Sequence, residues 1–292
     1  MFKDLWKSRA KLVEKNLLAE LKKTPMINET IFEAMEYSLM SGGKRLRPIL
    51  LMAAADSVGG DGEKFLSVAC SIEMIHTYSL IHDDLPAMDN DDYRRGKLTN
   101  HKVFGEATAI LAGDALLTLA FEVMTRQKNI EPKILLQVVQ EMSSAAGVGG
   151  MVGGQMIDLE SEGKKIDLQT LKKMRLGKTG ALFKAAIRSG AILAGADEKK
   201  LSALTNYAEN FGLAFQITDD ILDVVGDEKN LGKPVGSDEK NHKSTYVTLT
   251  SLDEAKSLAE NSVADAVESL KNFGDEANFL RELVKFLIDR NF

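Results

Sequence analysis

The chain has 292 residues, a formal net charge of −6 and a single cysteine, Cys70. An acidic chain is not expected to bind nucleic acid through its overall charge. One cysteine cannot form an intramolecular disulfide, which favours a reducing cytoplasm. Hydrophobic residues make up 44% of the chain, yet no segment has the roughly 18 uninterrupted apolar residues of a membrane span. We therefore expect a cytoplasmic protein with no membrane span and no nucleic-acid partner.

Apolar residues recur at helical spacing along almost the whole chain, with glycine, proline and Asx residues as stops. The predicted helices are Leu5–Leu21, Ile31–Met40, Pro48–Val58, Phe65–Asp84, Ala107–Met124, Pro132–Ala146, Leu168–Ala194, Lys199–Val225 and Leu280–Ile288. We interpret Gly147–Gly154 as a place of close helix packing, with a flexible linker as the alternative. Since no linker divides the chain and no alternating run predicts a sheet, we expect one large all-α domain over residues 1–292.

A first polar cluster follows abruptly on the apolar helix that ends near His82. Its charged and amide residues are Asp83, Asp84, Asp89, Asn90, Asp91, Asp92, Arg94 and Arg95. Acidic side chains are stabilised at helix N-termini, so aspartates at a C-terminus repel the helix dipole and one another unless a cation screens them. Carboxylate oxygens suit Mg²⁺, which shares its coordination shell with waters and substrate phosphates. The cluster therefore predicts a magnesium site, with a solvated charged loop as the alternative.

A second acidic cluster lies inside the apolar run Phe215–Val225. Asp219 and Asp223 are four residues apart, which places their carboxylates on one helix face, and Asp220 lies between them. Burying ionised carboxylates without compensation is costly, so a purely structural role would require basic partners. A metal site is the simpler explanation, and two such clusters predict carboxylates that face each other across two helices.

Basic residues stand beside glycines near both clusters. The segment Gly42–Pro48 gathers Lys44, Arg45 and Arg47 at a predicted helix start, where backbone N–H groups and the helix dipole favour an anion. Lys178 precedes Thr179-Gly180, and Lys233 lies between Gly232 and Pro234. Because arginine binds phosphate groups through a forked pair of hydrogen bonds, these segments predict the binding of an anion such as a phosphate group.

These motifs together resemble a known family. Asp83-Asp84-x-x-x-x-Asp89 followed by Arg94-Arg95-Gly96, with Asp219-Asp220-x-x-Asp223, resembles the two aspartate-rich motifs of trans-isoprenyl diphosphate synthases. Further signatures match in the expected order: Gly43-Lys44-Arg45-Leu46-Arg47-Pro48, Lys178-Thr179-Gly180 and Phe215-Gln216-x-x-Asp219. The resemblance extends from about residue 28 to the C-terminus.

The resemblance implies an all-helical fold with a central cavity, a homodimer, and three Mg²⁺ ions. The direct metal ligands would be Asp83, Asp89 and Asp219, supported by Asp84, Asp220 and Asp223. The allylic diphosphate would be held by Arg94, Lys178 and Lys233. Isopentenyl diphosphate would be held by Lys44, Arg47, His76 and Arg95. The carbocation formed when the allylic C–O bond breaks would be stabilised by Lys178, Thr179 and Gln216.

The resemblance also implies a product length. Tyr78 lies five residues before Asp83, and an aromatic residue there, with two extra residues between the aspartates, resembles bacterial farnesyl diphosphate synthases. Ser79 is small, so Tyr78 is expected to close the cavity and favour a C15 product. The alternatives are a geranylgeranyl diphosphate synthase, a terpene cyclase, and a non-catalytic partner subunit of the same fold.

Overall fold

The computed structural model describes residues 2–225 and 243–288, which are helical almost throughout. In chain order the helices are α1 Phe2–Lys22, α2 Glu29–Leu39, α3 Leu46–Ser57, α4 Leu66–Asp83, α5 Asn100–Phe104, α6 Glu106–Thr125, α7 Pro132–Ala146, α8 Met151–Ser161, α9 Leu168–Arg175, α10 Ala181–Leu193, α11 Glu198–Val225, α12 Tyr246–Leu249, α13 Leu252–Ser269 and α14 Asn278–Ile288. Two 3-10 turns, Gly62–Phe65 and Asp275–Ala277, add to them. The predicted all-α fold is confirmed.

The chain divides into two compact units. Unit 1 contains the described residues up to 52 together with 62–139, and unit 2 contains 53–61 together with the described residues from 140 onward. Each unit has buried apolar residues of its own. The predicted single domain over residues 1–292 stays a prediction.

Helix α4 is the central element of unit 1. Every side chain from Val68 to Ile75 is buried, because α4 packs against α6, α1 and α2. A helix that is apolar on all sides is stable only when it is enclosed in this way. It ends at Asp83, three residues before Pro86, since the proline ring and missing N–H cannot continue a helix. The buried body of α4 thus carries its polar C-terminal end to the edge of the core.

Helix α11 plays the corresponding role in unit 2, where it packs against α13 and α10. The ring of Phe183 on α10 meets the rings of Phe211 and Phe215 edge to face, with centroids 5.3 and 5.1 Å apart. Further along α11, Ile217 and Ile221 belong to a buried cluster with Leu171, Met174, Tyr246, Ala255 and Ala259. These apolar contacts fix the helix that carries the second aspartate cluster.

The predicted helix Leu168–Ala194 is interrupted. A π turn, Leu176–Gly180, separates α9 from α10 and packs against α8. At Gly154 of α8 an added Cβ would overlap the backbone of Gly177 and Lys178. The prediction of close packing around Gly147–Gly154 is therefore confirmed at Gly154, and it explains how the π turn approaches α8.

Helix α6 is apolar along most of its length, but it is not buried on every face. Ile110 and Leu111 keep 44% and 56% of their surface exposed. By length and composition α6 meets the criteria for a membrane span, yet 44% of its most apolar window is buried inside the protein. Apolar core helices of soluble proteins meet the same criteria, so α6 gives weak support for a membrane span.

Candidate active site

The first aspartate cluster begins on the last turn of α4. Asp83 ends the helix with 16% of its side chain exposed, whereas Asp84 has 4% exposed. Arg94 Nε donates to both carboxylate oxygens of Asp84, at 2.7 and 2.9 Å. Burial raises the pKa of Asp84 to about 6, although the Arg94 guanidinium opposes that shift. Asp84 therefore anchors Arg94, and Asp83 is the more accessible carboxylate.

A two-stranded hairpin positions the arginines that follow the cluster. Tyr93–Arg94 pairs with Lys97–Leu98, and sequence analysis missed it because two-residue strands have no detectable alternation. The Asp89 N–H donates to the Asp83 carbonyl at 2.9 Å, which folds the loop back onto α4. Arg95 has a φ of 55°, and its guanidinium donates to the Gly42 carbonyl. The hairpin thereby places Arg95 against the basic loop Gly42–Pro48.

The basic loop itself depends on its two glycines. Gly42 and Gly43 have φ values of 87° and 123°, which other residues rarely adopt. Lys44 is exposed, and its carbonyl accepts a hydrogen bond from Trp6 Nε1 at 2.9 Å. Burial and the charge of Arg95 lower the pKa of Arg47 to about 10, which leaves it protonated at pH 7. Lys44 and Arg47 thus supply positive charge at this loop, and Arg95 adds to it from the hairpin.

His76 lies on α4, two turns before Asp83. Burial lowers its pKa well below the usual value, and the charges of Arg47, Arg95, Arg94 and Arg45 lower it further. The imidazole is therefore neutral at pH 7 and can donate one hydrogen bond and accept another. Three of the arginines around His76, namely Arg47, Arg94 and Arg95, are the ones that the family resemblance assigns to diphosphate binding.

Tyr78 and Ser79 occupy different environments on α4. Tyr78 has 6% of its surface exposed, and its ring meets that of His82 edge to face at 5.7 Å. Burial and the Asp114 carboxylate of α6 raise the pKa of Tyr78 to about 12. The Ser79 hydroxyl donates to the carbonyl of His76 at 2.8 Å, within its own helix. Of these two neighbouring side chains on α4, Tyr78 is therefore the bulky one.

The second aspartate cluster lies on α11 of unit 2. Asp219 is exposed, whereas Asp220 and Asp223 have 1% and 2% of their surface exposed. Asp220 Oδ1 accepts a hydrogen bond from Arg175 Nη2 at 2.9 Å, and its Oδ2 accepts one from the Tyr246 N–H at 2.7 Å. Asp220 thus ties α9 and the start of α12 to α11, while Asp219 points a carboxylate outward.

The predicted catalytic residues of unit 2 lie close to that cluster. Lys178 and Thr179 are half-buried in the π turn, and Lys178 Nζ pairs with Asp158 Oδ2 of α8 at 2.7 Å. Although burial opposes ionisation, the Lys178 charge keeps the pKa of Asp158 below its usual value. The Gln216 amide oxygen accepts from Arg175 Nη1 at 3.3 Å, so Arg175 bonds to both Gln216 and Asp220.

The predicted site residues fall into two groups. Unit 1 contains Lys44, Arg47, His76, Tyr78, Ser79, Asp83, Asp84, Asp89, Arg94 and Arg95. Unit 2 contains Lys178, Thr179, Gln216, Asp219, Asp220 and Asp223. Lys233 lies outside the described residues. The facing arrangement of the two aspartate clusters stays a prediction.

Comparison with known proteins shows which family this chain belongs to. Residues 28–285 match the polyprenyl synthetase family. The chain belongs to that family. It is 49% identical over 273 residues to a geranylgeranyl diphosphate synthase from Cyanophora paradoxa, covering 92% of this chain and 91% of that one. It is 48% identical over 279 residues to a farnesyl diphosphate synthase from Micrococcus luteus, covering 94% and 95%.

A solved structure agrees with this membership of the polyprenyl synthetase family. An FPP/GFPP synthase from Zymomonas mobilis superposes with a TM-score of 0.88 at 39% identity, over 98% of both chains. The predicted class of activity, a short-chain trans-prenyltransferase, is therefore confirmed. The relatives include both farnesyl and geranylgeranyl synthases, so they do not distinguish between the two products.

The donor chemistry of this polyprenyl synthetase fits a magnesium ion. Asp83 and Asp219 present carboxylate oxygens, the ligands that Mg²⁺ prefers. Within residues 2–225 and 243–288, no three His, Cys, Asp or Glu side chains form a ready metal cage. Mg²⁺ does not require such a cage, because it keeps several waters and takes phosphate oxygens from the substrate. Accessible aspartates fixed by buried neighbours suit this type of binding.

Sequence analysis missed several residues that shape the site. Glu73, Asp158 and Arg175 each form ion pairs with residues of the predicted motifs. Glu73 was detectable as a carboxylate inside the apolar helix before His76, and Arg175 as a cation one turn before Lys178. Arg45 was counted among the anion-binding cations, but it is buried, with 2% of its surface exposed.

Proposed function

We propose that this prenyltransferase is a farnesyl diphosphate synthase that adds isopentenyl diphosphate to dimethylallyl and then geranyl diphosphate. The observation that carries the product assignment is Tyr78, a bulky buried residue one and a half turns before Asp83 on α4. A phenol ring at this depth blocks a growing apolar chain that a small residue would let pass.

The proposed mechanism assigns a different set of residues to each diphosphate substrate. The accessible aspartates would hold Mg²⁺, which when bound would supply positive charge at the departing diphosphate. Arg94, together with Lys178 and Lys233, holds the allylic diphosphate, and Lys178 would exchange its Asp158 partner for the substrate. Lys44, Arg47, Arg95 and neutral His76 hold isopentenyl diphosphate, whose double bond attacks the allylic carbocation. Thr179 and Gln216 stabilise that cation, and the released diphosphate then takes a proton from the condensed product so that the new double bond forms.

We also propose that the enzyme is a cytoplasmic homodimer. Ile110 and Leu111 on α6 and Leu136 on α7 are large apolar residues of unit 1 with substantial exposure. Exposed apolar surface of this kind is typical of subunit interfaces. The buried, unpaired Cys70 suits a reducing compartment.

Product analysis tests the proposed function directly. The purified protein, incubated with isopentenyl and dimethylallyl diphosphates and Mg²⁺, is expected to release mainly C15 diphosphate, identified by chromatography of the dephosphorylated alcohols. A mainly C20 product would instead identify a geranylgeranyl diphosphate synthase. No condensation product at all would contradict the assignment as a prenyltransferase and favour a non-catalytic partner subunit.

Replacing Tyr78 by alanine is expected to shift the product from C15 to C20 or longer. The substitution removes the aromatic ring that we propose limits chain length, without changing an aspartate. Ser79→Ala is the matched control, because it changes the neighbouring residue by one hydroxyl and leaves the ring in place. Both variants would be assayed for product length with the wild type. An unchanged C15 product from Tyr78→Ala would show that other residues limit chain length.

A further inference from the structure

Arg45 holds the basic loop from inside unit 1. Its Nη1 donates to Glu73 Oε1 of α4 at 2.9 Å, and its Nη2 donates to the Leu39 carbonyl of α2 at 2.9 Å. Its Nε donates to Glu14 Oε1 of α1 at 3.3 Å. One guanidinium therefore links three helices to the residue that directly precedes α3. Only a forked side chain with several fixed N–H groups can bond in three directions at once.

The backbone at Arg45 shows how strongly this position is fixed. Its φ of 51° lies in the left-handed region, which is unfavourable for a residue with a side chain. The neighbours Lys44 and Arg47 point to other surroundings, since Lys44 is exposed and Arg47 is half-buried. The left-handed turn at Arg45 thus directs one cation into the core and leaves its neighbours for the predicted substrate site.

Glu73 is the acidic partner on which this arrangement depends. It has 2% of its surface exposed and lies one helical turn before His76 on α4. Its Oε1 bonds to Arg45, and its Oε2 is buried without a hydrogen bond from the part of the chain that is described. Burial lowers the pKa values of Arg47 and Arg95, and the Glu73 charge opposes that shift in both. One buried carboxylate therefore offsets the mutual repulsion of three arginines.

We propose that Arg45 and Glu73 are positioning residues for isopentenyl diphosphate. Their buried ion pair holds the loop Gly42–Pro48 against α4, so that Arg47 and Arg95 lie beside His76 before substrate binds. Neither side chain touches the substrate. The inference rests on the proposed function, because that function assigns these cations to isopentenyl diphosphate.

The test is the double variant Arg45→Met/Glu73→Met. Removing both charges of a buried pair together, with apolar side chains of similar volume, is usually tolerated by the fold. The KM for isopentenyl diphosphate is expected to rise at least about tenfold because the loop loses its anchor. The KM for the allylic diphosphate is expected to stay unchanged. Calorimetric titration with isopentenyl diphosphate alone should show the same loss of affinity without turnover.

A matched control removes another ion pair of unit 1. Arg126 and Glu20 pair at 2.8 Å away from the basic loop, and Arg126→Met/Glu20→Met is expected to leave both KM values unchanged. Arg45→Lys is the alternative test if the double variant does not fold, because lysine keeps the positive charge but lacks the forked guanidinium. It is expected to raise the KM for isopentenyl diphosphate alone.

The outcomes separate this inference from the proposed function. A folded double variant with unchanged affinity for isopentenyl diphosphate, or with an equal rise in both KM values, would overturn the positioning role. An unchanged KM in Arg45→Lys would overturn it if the double variant is unfolded. A wild-type protein that forms no product would contradict the proposed function, whereas the calorimetric comparison still decides the role of the pair. Wild-type protein that does not bind isopentenyl diphosphate would overturn both.

Discussion

Asp83→Asn is expected to lower kcat by at least about 100-fold while the protein stays folded. The amide keeps the shape of the side chain but removes the charge that would bind Mg²⁺. The fold should not suffer, because Asp83 ends α4, where a negative charge opposes the helix dipole. Its pairing with Arg94 is distant, at 3.9 Å, and Arg94 keeps its closer bonds to Asp84. The thermal midpoint should therefore stay equal or rise slightly.

Asp92→Asn is the control for this prediction. Asp92 lies in the same acidic loop, but 57% of its side chain is exposed, and it pairs with Lys102 at 2.8 Å. Exposed ion pairs contribute about 0–1 kcal/mol to the free energy of unfolding, so the fold should tolerate this change. Because Asp92 is not one of the assigned metal ligands, kcat and the Mg²⁺ requirement should stay near wild type. Steady-state assays over a series of Mg²⁺ concentrations, with circular dichroism melting, measure both effects. Wild-type kcat in Asp83→Asn would contradict the assigned metal ligand.

Local patterns explain why so much of this fold was predictable from the sequence. The buried helix α4 carries apolar residues on every side, and its break at Pro86 follows from the covalent structure of proline. The aspartate clusters stand out because carboxylates are costly where apolar residues surround them. Each of these signals lies within a few residues along the chain, so single-sequence reasoning can detect it.

The partners of the buried charges were not predictable in the same way. Arg45 and Glu73 are 28 residues apart, and Arg175 and Asp220 are 45 residues apart. Sequence periodicity shows that a carboxylate is buried, but it does not show which distant cation compensates it. The same limit explains Arg45, which shares a motif with Lys44 and Arg47 but turns into the core. Tertiary packing decides between these directions.

The π turn is a further feature that periodicity could not show. Its residues Leu176–Gly180 continue the helical pattern, and the extra residue per turn has no sequence mark other than its glycines. Inserted turns of this type are frequent at functional sites, because they redirect side chains within a helix. Here the turn carries Lys178 and Thr179, so its geometry decides where two predicted catalytic residues lie.

Gly154→Ala is expected to reduce both stability and activity through that turn. Alanine favours a helix by about 1 kcal/mol over glycine, so a free position in α8 would be stabilised. At Gly154, however, the new Cβ would overlap the backbone nitrogen of Lys178 and the carbonyl carbon of Gly177. Backbone atoms cannot move aside as a flexible side chain can, and overpacking of this kind costs about 1–3 kcal/mol.

The displaced backbone of the π turn is also expected to lower kcat. A shift of about 1 Å in Lys178 and Thr179 is sufficient to lower kcat by about 100-fold. Gly149→Ala is the matched control, because its added Cβ would meet only the Ser144 carbonyl oxygen, at 3.9 Å. Thermal melting and kcat should both fall in Gly154→Ala and stay unchanged in Gly149→Ala. If Gly154→Ala melted later than wild type with full activity, α8 would have room to move, and its close contact with the π turn would not position Lys178.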